Sequence, residues 1–477
     1  EGSTITNIVI PEGVTSIGNY AFRNCTNLVS ITLPSTLTSI GTYAFDGCTS
    51  LTTIITPDTQ LPENFTPALT IGNYAFTGCT GLTEVVIPEG VKSIGTFCFS
   101  GCENVTSLVL PKKLATIGDN AFVGIQITSL IVPSSVTSIG KNAFANCDKL
   151  QTVTFEENAD GTALTLVAGS YGTSSSTTYP WYSEEYEKYY GGAFIGCSSL
   201  KSVDFANRKV SVGAYSFFYT SLETVNLGMA TTFGTCAFMG TNLTTVEIPY
   251  TTTSLGNNSF AMCSNLASFT FEDTPEGVEP VGLTFTGPSS FGSTTFSELY
   301  PVYSEAEEKY YTSFFIGCES IETFVTPERT IKLALGMFAL SNIKSVTING
   351  TDLDMATYAF YRCQDLTSVT LSSGVAKIGN NSFMLCSNLE SVTIADGVAS
   401  IGAYAFSGCT SIERLVIPYS VSVTTSGYIF DKWTDEQTIV LIFDELDRES
   451  ATKWGSWGMR GCRANIEIEI VEPAEEE

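Results

Sequence analysis

The stretch Ile17-Gly18-Asn19-Tyr20-Ala21-Phe22, with Cys25 three residues after the Phe and Leu28 six after it, returns almost to the C-terminus. With the Phe as register mark, copies fall at Phe22, Phe45, Phe76, Phe99, Phe122, Phe144, Phe194, Phe217, Phe238, Phe260, Phe315, Phe338, Phe360, Phe383, Phe406 and, more loosely, Phe430. Most gaps are 21 to 24 residues. A self-similar period of that length means a solenoid, in which a unit too small to bury its own apolar side stacks on its neighbours. This overrides the several globular domains that 477 residues would otherwise suggest.

A full unit, Leu28 to Cys48, reads Leu-x-x-Ile-x-Leu-Pro-x-x-Leu-x-x-Ile-Gly-x-x-Ala-Phe-x-x-Cys. Leu28, Ile31 and Leu33 include the alternation of a short strand, with Ser30 and Thr32 on its other side. Pro34 stops the ladder because it has no N–H, and Leu37 and Ile40 turn inward again. Gly41 is expected to permit a tight bend before Ala44 and Phe45 re-enter the core. Stacked at the parallel-strand spacing of about 4.8 Å, some 16 such coils would extend on the order of 75 Å.

The pattern resembles the BspA-like class of leucine-rich repeat, with close copies at Leu82 to Cys102 and Leu389 to Cys409. The fold expected is an α/β-type solenoid dominated by short parallel strands, about 16 coils of ~23 residues. It would span residues 1–430, with insertions at approximately 156–190 and 272–311, a C-terminal cap over 431–470 and an acidic tail over 471–477. The resemblance further implies a cell-surface or secreted protein of host-associated microbes, acting as an adhesin or binding host proteins. Glu1 is not Met, and Ile5 to Ile10 already reads as a strand, so the natural N-terminus is expected upstream.

Eleven of the fourteen Cys occupy one position of the repeat, and in four copies that lack it the motif closes up by one residue. Such a Cys reads as a small buried hydrophobe with a free thiol rather than half of a disulfide. The chain has no His and no Cys-x-x-Cys, so neither a metal nor a cofactor is expected. The lack of His also removes every His-dependent nucleophilic triad, and no phosphate-cradling loop is present, so no catalytic residue is assigned. Acidic residues outnumber basic ones 49 to 22, which disfavours nucleic acid as a partner. No run of about 18 apolar residues suggests a membrane span.

The strand side opposite the core, with Ser30/Thr32, Thr152/Thr154, Ser268/Thr270 and Ser368/Thr370, reads as a hydroxyl ladder that stabilises stacked strands. The two long gaps differ from the rest. Tyr179 to Tyr190 aligns with Tyr300 to Tyr311 at a displacement of 121 residues, as do Phe194 with Phe315 and Cys197 with Cys318, which points to an internal duplication. Ser183 and Ser304 are each expected to cap a short helix whose first turn carries Glu, and Asp447 to Trp454 to form another. Aromatic side chains offer large contact area at low entropic cost. Tyr179, Trp181, Tyr182, Tyr186, Tyr300 and Tyr303 are therefore the candidate ligand-binding residues, toward a protein or glycan of a host or neighbouring cell. The competing expectation is a structural spacer that presents another domain of a larger surface protein.

Overall fold

In a computed structural model, the described residues are 4–55, 69–173, 181–185, 187–287, 290, 292–293, 297, 302–304, 308–351, 353–418, 420–421, 427–444 and 460–471. The chain divides into two units, Glu1–Leu243 and Thr244–Glu477. Both are parallel-strand solenoids, about 17 turns in all. No helix occurs among the described residues, so the α/β label is corrected to an all-strand coil.

One coil shows how the letters work. Strand Ser30–Thr32 buries Ile31 completely and leaves Ser30 and Thr32 half-exposed. The chain turns at Pro34, buries Leu37, and runs into strand Ser39–Ile40, where Ile40 points inward. Ala44, Phe45, Cys48 and Leu51 then close the coil with no exposed area. Each fully buried aliphatic or aromatic side chain contributes roughly 1.5–3 kcal/mol, and a coil collects several only because its neighbours cover it.

Register is kept from coil to coil apart from shifts at Val210/Ser211 and Leu353/Asp354. In the first unit Asn7 pairs with Ser30 and Ser30 with Thr53, while Ser16, Ser39, Thr70, Ser93, Thr116 and Ser138 pair in sequence along the second strands. The third side is not a strand, yet it is also laddered. Phe22 N–H donates to Ala44 O at 2.7 Å, Phe45 to Ala75 at 2.8 Å and Phe76 to Cys98 at 2.8 Å. Its rings stack one per coil, with centroids 5.1 Å apart for Phe22–Phe45, 5.0 Å for Phe45–Phe76 and 5.1 Å for Phe76–Phe99, following the strand spacing. Phe144 and Phe194 stack at 5.5 Å although 50 residues separate them, so the extra chain loops out and the next coil docks normally.

The corners hold a feature that the letters did not announce. Residues two before and two after the register Phe adopt left-handed dihedrals, as at Tyr20 (φ 57°) and Asn24 (φ 54°), or Tyr43 (φ 56°) and Gly47 (φ 71°). A non-Gly residue there costs about 1–2 kcal/mol. Ring stacking and a backbone hydrogen bond offset part of that: Tyr43 N–H donates to Asn73 O at 3.1 Å, and Tyr20, Tyr43, Tyr74 and Phe97 stack at 4.5–5.2 Å. Gly41 is not the bend residue expected. It has no positive φ, and a Cβ on it would lie 2.6 Å from Asn19 N, so glycine is required by the close approach of the previous coil.

All fourteen cysteines are free thiols, thirteen of them buried. Cys79 Sγ donates to Phe45 O at 3.2 Å and Cys102 Sγ to Phe76 O at 3.2 Å, so the thiol satisfies a carbonyl inside the turn. Burial pushes the Cys48 thiol up to about 11 and Cys102 to about 12, which keeps both protonated and unreactive.

The expected insertions contain a normal second strand. Leu164–Leu166 pairs with Ser138–Ile139, and Leu283–Phe285 with Ser254–Leu255, each in register. Extra chain therefore leaves the coil at two places, before and after that strand. The later excursion is a three-stranded antiparallel sheet in both copies: Ser170–Gly172, Trp181–Ser183 and Lys188–Gly191 in the first, and Gly292–Ser293, Val302–Ser304 and Lys309–Tyr311 in the second. Among the described residues the short helices expected from Ser183 and Ser304 do not appear. Ser183 pairs with Lys188 and Ser304 with Lys309 across a turn that holds Glu187 or Glu308 left-handed. A five-residue helix cannot repay its nucleation cost, and flanking Trp and Tyr favour a strand. The helix expected at Asp447 to Trp454 lies outside the described residues.

Candidate functional site: two inserted sheets, a strand face and two buried arginines

The first inserted sheet is fastened by its aromatic residues. Tyr190 is completely buried, against Phe218 at 4.7 Å and Tyr215 at 5.5 Å. Trp181, half-buried, meets Phe218 edge-on at 5.8 Å and stacks on Tyr219 at 6.3 Å. Tyr219 OH in turn donates to Glu185 Oε2 at 2.8 Å, tying down the turn of the sheet. Lys188 Nζ stands 4.5 Å over the Tyr171 ring, and Lys141 Nζ donates to Ser170 Oγ at 2.5 Å. Tyr182 is placed by its backbone pairing with Tyr189. In the second sheet Tyr303 pairs with Tyr310, and Tyr311 is buried near Tyr361 at 6.4 Å. Tyr179, Tyr186 and Tyr300 lie outside the described residues.

The strand face is a ladder of short polar bonds, such as Ser30 Oγ to Asn7 Oδ1 at 2.6 Å and Asn226 Nδ2 to Asp204 Oδ1 at 2.7 Å. Sequence reading passed over a second pattern on it. Val9 (72% exposed), Ile55, Val86, Val109 and Ile131 (63%) put an exposed aliphatic residue at the third strand position of these coils, with Thr32 standing there between Val9 and Ile55. The hydroxyl count hid it, because a single Val per coil is unremarkable until exposures are aligned.

Two arginines were also missed. Arg208 and Arg329 stand at the same 121-residue displacement as the sheets, and both are buried. Arg208 reaches back to an earlier coil, donating from Nη1 to Pro133 O at 3.3 Å and from Nη2 to Val136 O. Burial lowers its pKa, and the charges of Asp160 and Glu156 act against that. Arg329 donates from Nη1 to Tyr250 O at 2.7 Å, while its Nε and Nη2 have no hydrogen-bond partner. Burial lowers its pKa. Arg329 also lines a 660 Å³ cleft. The usable signal was the displacement itself, applied to every residue of the block rather than to the aromatic ones alone.

Among the described residues no group of three or more His, Cys, Asp or Glu could hold a metal, and no helix is long and apolar enough to cross a membrane.

Comparison with known proteins places this geometry. A search of curated proteins returns no match. Among solved structures, a leucine-rich repeat protein from Bacteroides ovatus is similar at 20% identity and TM-score 0.42, over 97% of this chain and 92% of that one. A leucine rich cell surface protein from Faecalibacterium prausnitzii is similar at 22% identity and TM-score 0.31, over 82% and 88%. The pneumococcal vaccine antigen PcpA is similar at 17% identity and TM-score 0.36, over 98% and 89%. The family model for the BspA type leucine rich repeat region matches in six copies, over residues 1–64, 69–165, 187–298 and 308–436. With most of its length matched, and with the coil, the Phe ladder and the Cys turn in place, the chain belongs to the BspA-type leucine-rich repeat family.

Proposed function

We propose that this chain is a non-enzymatic adhesion and ligand-binding protein, displayed on the cell surface or secreted by a host-associated microbe. Its partner is a protein or glycan of the host or a neighbouring cell. The contact is made by the inserted sheets, through Tyr179, Trp181, Tyr182, Tyr186, Tyr300 and Tyr303, together with the strand face. The C-terminal strands Thr438–Asp444 and Asn465–Val471 serve as the cap that ends the stack.

One observation carries this reading. An antiparallel sheet is set out of the coil twice, at equivalent positions, while the Phe144–Phe194 stack closes beneath the first as though nothing had been added. Stability does not require such an excursion. An aromatic sheet held on a rigid scaffold is, however, a common form for a binding site. The test is binding of the purified chain to a panel of extracellular-matrix proteins and glycans, beside the double variant Tyr182→Ser, Tyr303→Ser. The reading expects about a tenfold or greater loss for the variant, with its melting curve preserved. Unchanged binding by a folded variant contradicts it.

The burial of Tyr190 and the contact of Trp181 with Phe218 favour a second reading, in which the sheets brace a spacer. A spacer would bind nothing on the panel.

A further inference from the structure

At one seam of the duplicated block the first unit carries a strand ladder and, among the described residues, the second does not. In the first unit, strand Thr152–Phe155 pairs with Ser202–Asp204 in full register. In the second, the equivalent strands are Ser268–Phe271 and Thr323–Val325. They pair with Thr245–Ile248 and Ser345–Ile348 respectively, and among the described residues no ladder joins them to each other. The 660 Å³ cleft sits on this unpaired seam, lined by both strands and by the chain over 272–280. Ser268, Thr270 and Thr323 give its wall hydroxyl groups, Phe271 and Val325 give it apolar faces, and Arg329 lines it as well.

The orphaned atoms of Arg329 have a specific geometry. Nε–H and one N–H of Nη2 lie on the same edge of the guanidinium plane and form the side-on fork that receives both oxygens of a carboxylate. Nη1 is held by Tyr250 O at 2.7 Å, so the orientation of the fork is fixed before anything binds. A buried guanidinium that leaves two nitrogens unpaired is costly unless something answers them. In the first unit Arg208 spends Nη1 and Nη2 on two carbonyls of its own chain and leaves Nε alone unpaired, so it presents no such fork.

We propose that the cleft over Arg329 is a binding site for a singly charged acidic sugar, whose carboxylate docks on the Nε/Nη2 fork. The exposed Glu272, Asp273 and Glu328 around the cleft repel an anion in proportion to its charge, which disfavours a phosphate ester more than a single carboxylate, and they accept hydrogen bonds from sugar hydroxyls. Phe271 and Val325 offer apolar surface to a ring face. This site is separate from the inserted sheets and stands or falls without them.

The test titrates the purified full chain calorimetrically with glucuronate, with glucose, and with a tetrapeptide bearing a free C-terminal carboxylate. Glucuronate is expected to bind saturably and about tenfold or more tighter than glucose, the difference being the charged fork. Arg329→Gln removes the fork, and Val325→Trp fills the cleft from a residue that is half-exposed and makes no core contact of its own. Arg329→Gln is expected to lose glucuronate binding about tenfold or more with the fork, and Val325→Trp, at an exposed position, to lose it about tenfold or more by filling the cleft. If Arg329→Gln does not fold, Val325→Trp alone decides. Glucuronate binding no tighter than that of glucose, or unchanged in Val325→Trp, overturns the site, and preference for the tetrapeptide overturns the sugar.

Discussion

The two copies of the duplicated block are a controlled comparison within one chain. Around Arg208 eight residues separate Phe155 from Leu164, the first strands pair across the insertion, and the guanidinium bonds two carbonyls. Around Arg329 eleven residues separate Phe271 from Leu283, the corresponding strands are unpaired, and the guanidinium bonds one carbonyl beside a cleft. The lesson is that a buried cation in a solenoid is a seam device. Where the loop is short it staples two coils together, and where the loop lengthens the same residue bonds one carbonyl and keeps two nitrogens unpaired beside a cleft.

The largest expected effect comes from Gly169, just before the first sheet, set against Gly287, which stands where the first copy has Ala168. A Cβ on Gly169 would lie 1.8 Å from Gly191 O, a backbone atom that cannot move without shifting the sheet. On Gly287 the nearest atom would be Ala334 Cβ at 2.9 Å. Gly169→Ala should therefore cost more than about 3 kcal/mol and Gly287→Ala about 1–2 kcal/mol in urea unfolding. A loss at Gly287 as large as that at Gly169 would contradict the backbone contact of Gly169 as the cause.

The arginines come next. Arg208→Met strands the carbonyl of Val136, while Pro133 O keeps the Val136 N–H at 3.1 Å, and should cost about 1–3 kcal/mol. Arg329→Met strands one carbonyl but removes two unpaired nitrogens, so its unfolding midpoint should move by less than about 1 kcal/mol. A smaller effect follows from Asp160, whose carboxyl is held below the usual carboxylate range, first by hydrogen bonds from Thr162, then by Asn158 and the charge of Arg208. A depressed carboxylate stabilises the fold above its unfolded pKa and loses that contribution as pH falls through the folded value. Melting temperature should thus drop below about pH 4, and Asp160→Asn should flatten that drop. The smallest effects belong to the exposed pairs Lys201–Glu223 and Lys344–Glu322 on the two strand faces, where Lys→Ala should cost less than about 1 kcal/mol in either unit.

Much of this was legible in the letters. Ile31, Leu37, Ile40, Phe45 and Cys48 each announce an inward position by spacing, and the structure buries every one. The helix expected after Ser183 was misread because a local capping signal outweighed the strand preference of Trp181, Tyr189 and Tyr190. The left-handed tyrosines were illegible, since Tyr20 and Tyr43 are tolerated there only through stacking with the neighbouring coil, which no single repeat reveals. Arg208 and Arg329 were passed over for a similar reason. Arginine reads as surface until the coil two turns back is known to offer a carbonyl.

The difference between the seams can be measured amide by amide. In the first copy Lys201 N–H donates to Gln151 O at 2.9 Å and Ser202 N–H to the same oxygen at 3.2 Å. Glu322 and Thr323 hold the matching positions in the second copy, on the strand that is not laddered to Ser268–Phe271. Residue-resolved hydrogen exchange should find Lys201 and Ser202 protected nearly as well as the core, and Glu322 and Thr323 exchanging about a hundredfold or more faster. Equal protection at the two seams would mean that the second copy is as closed as the first, and would contradict the account.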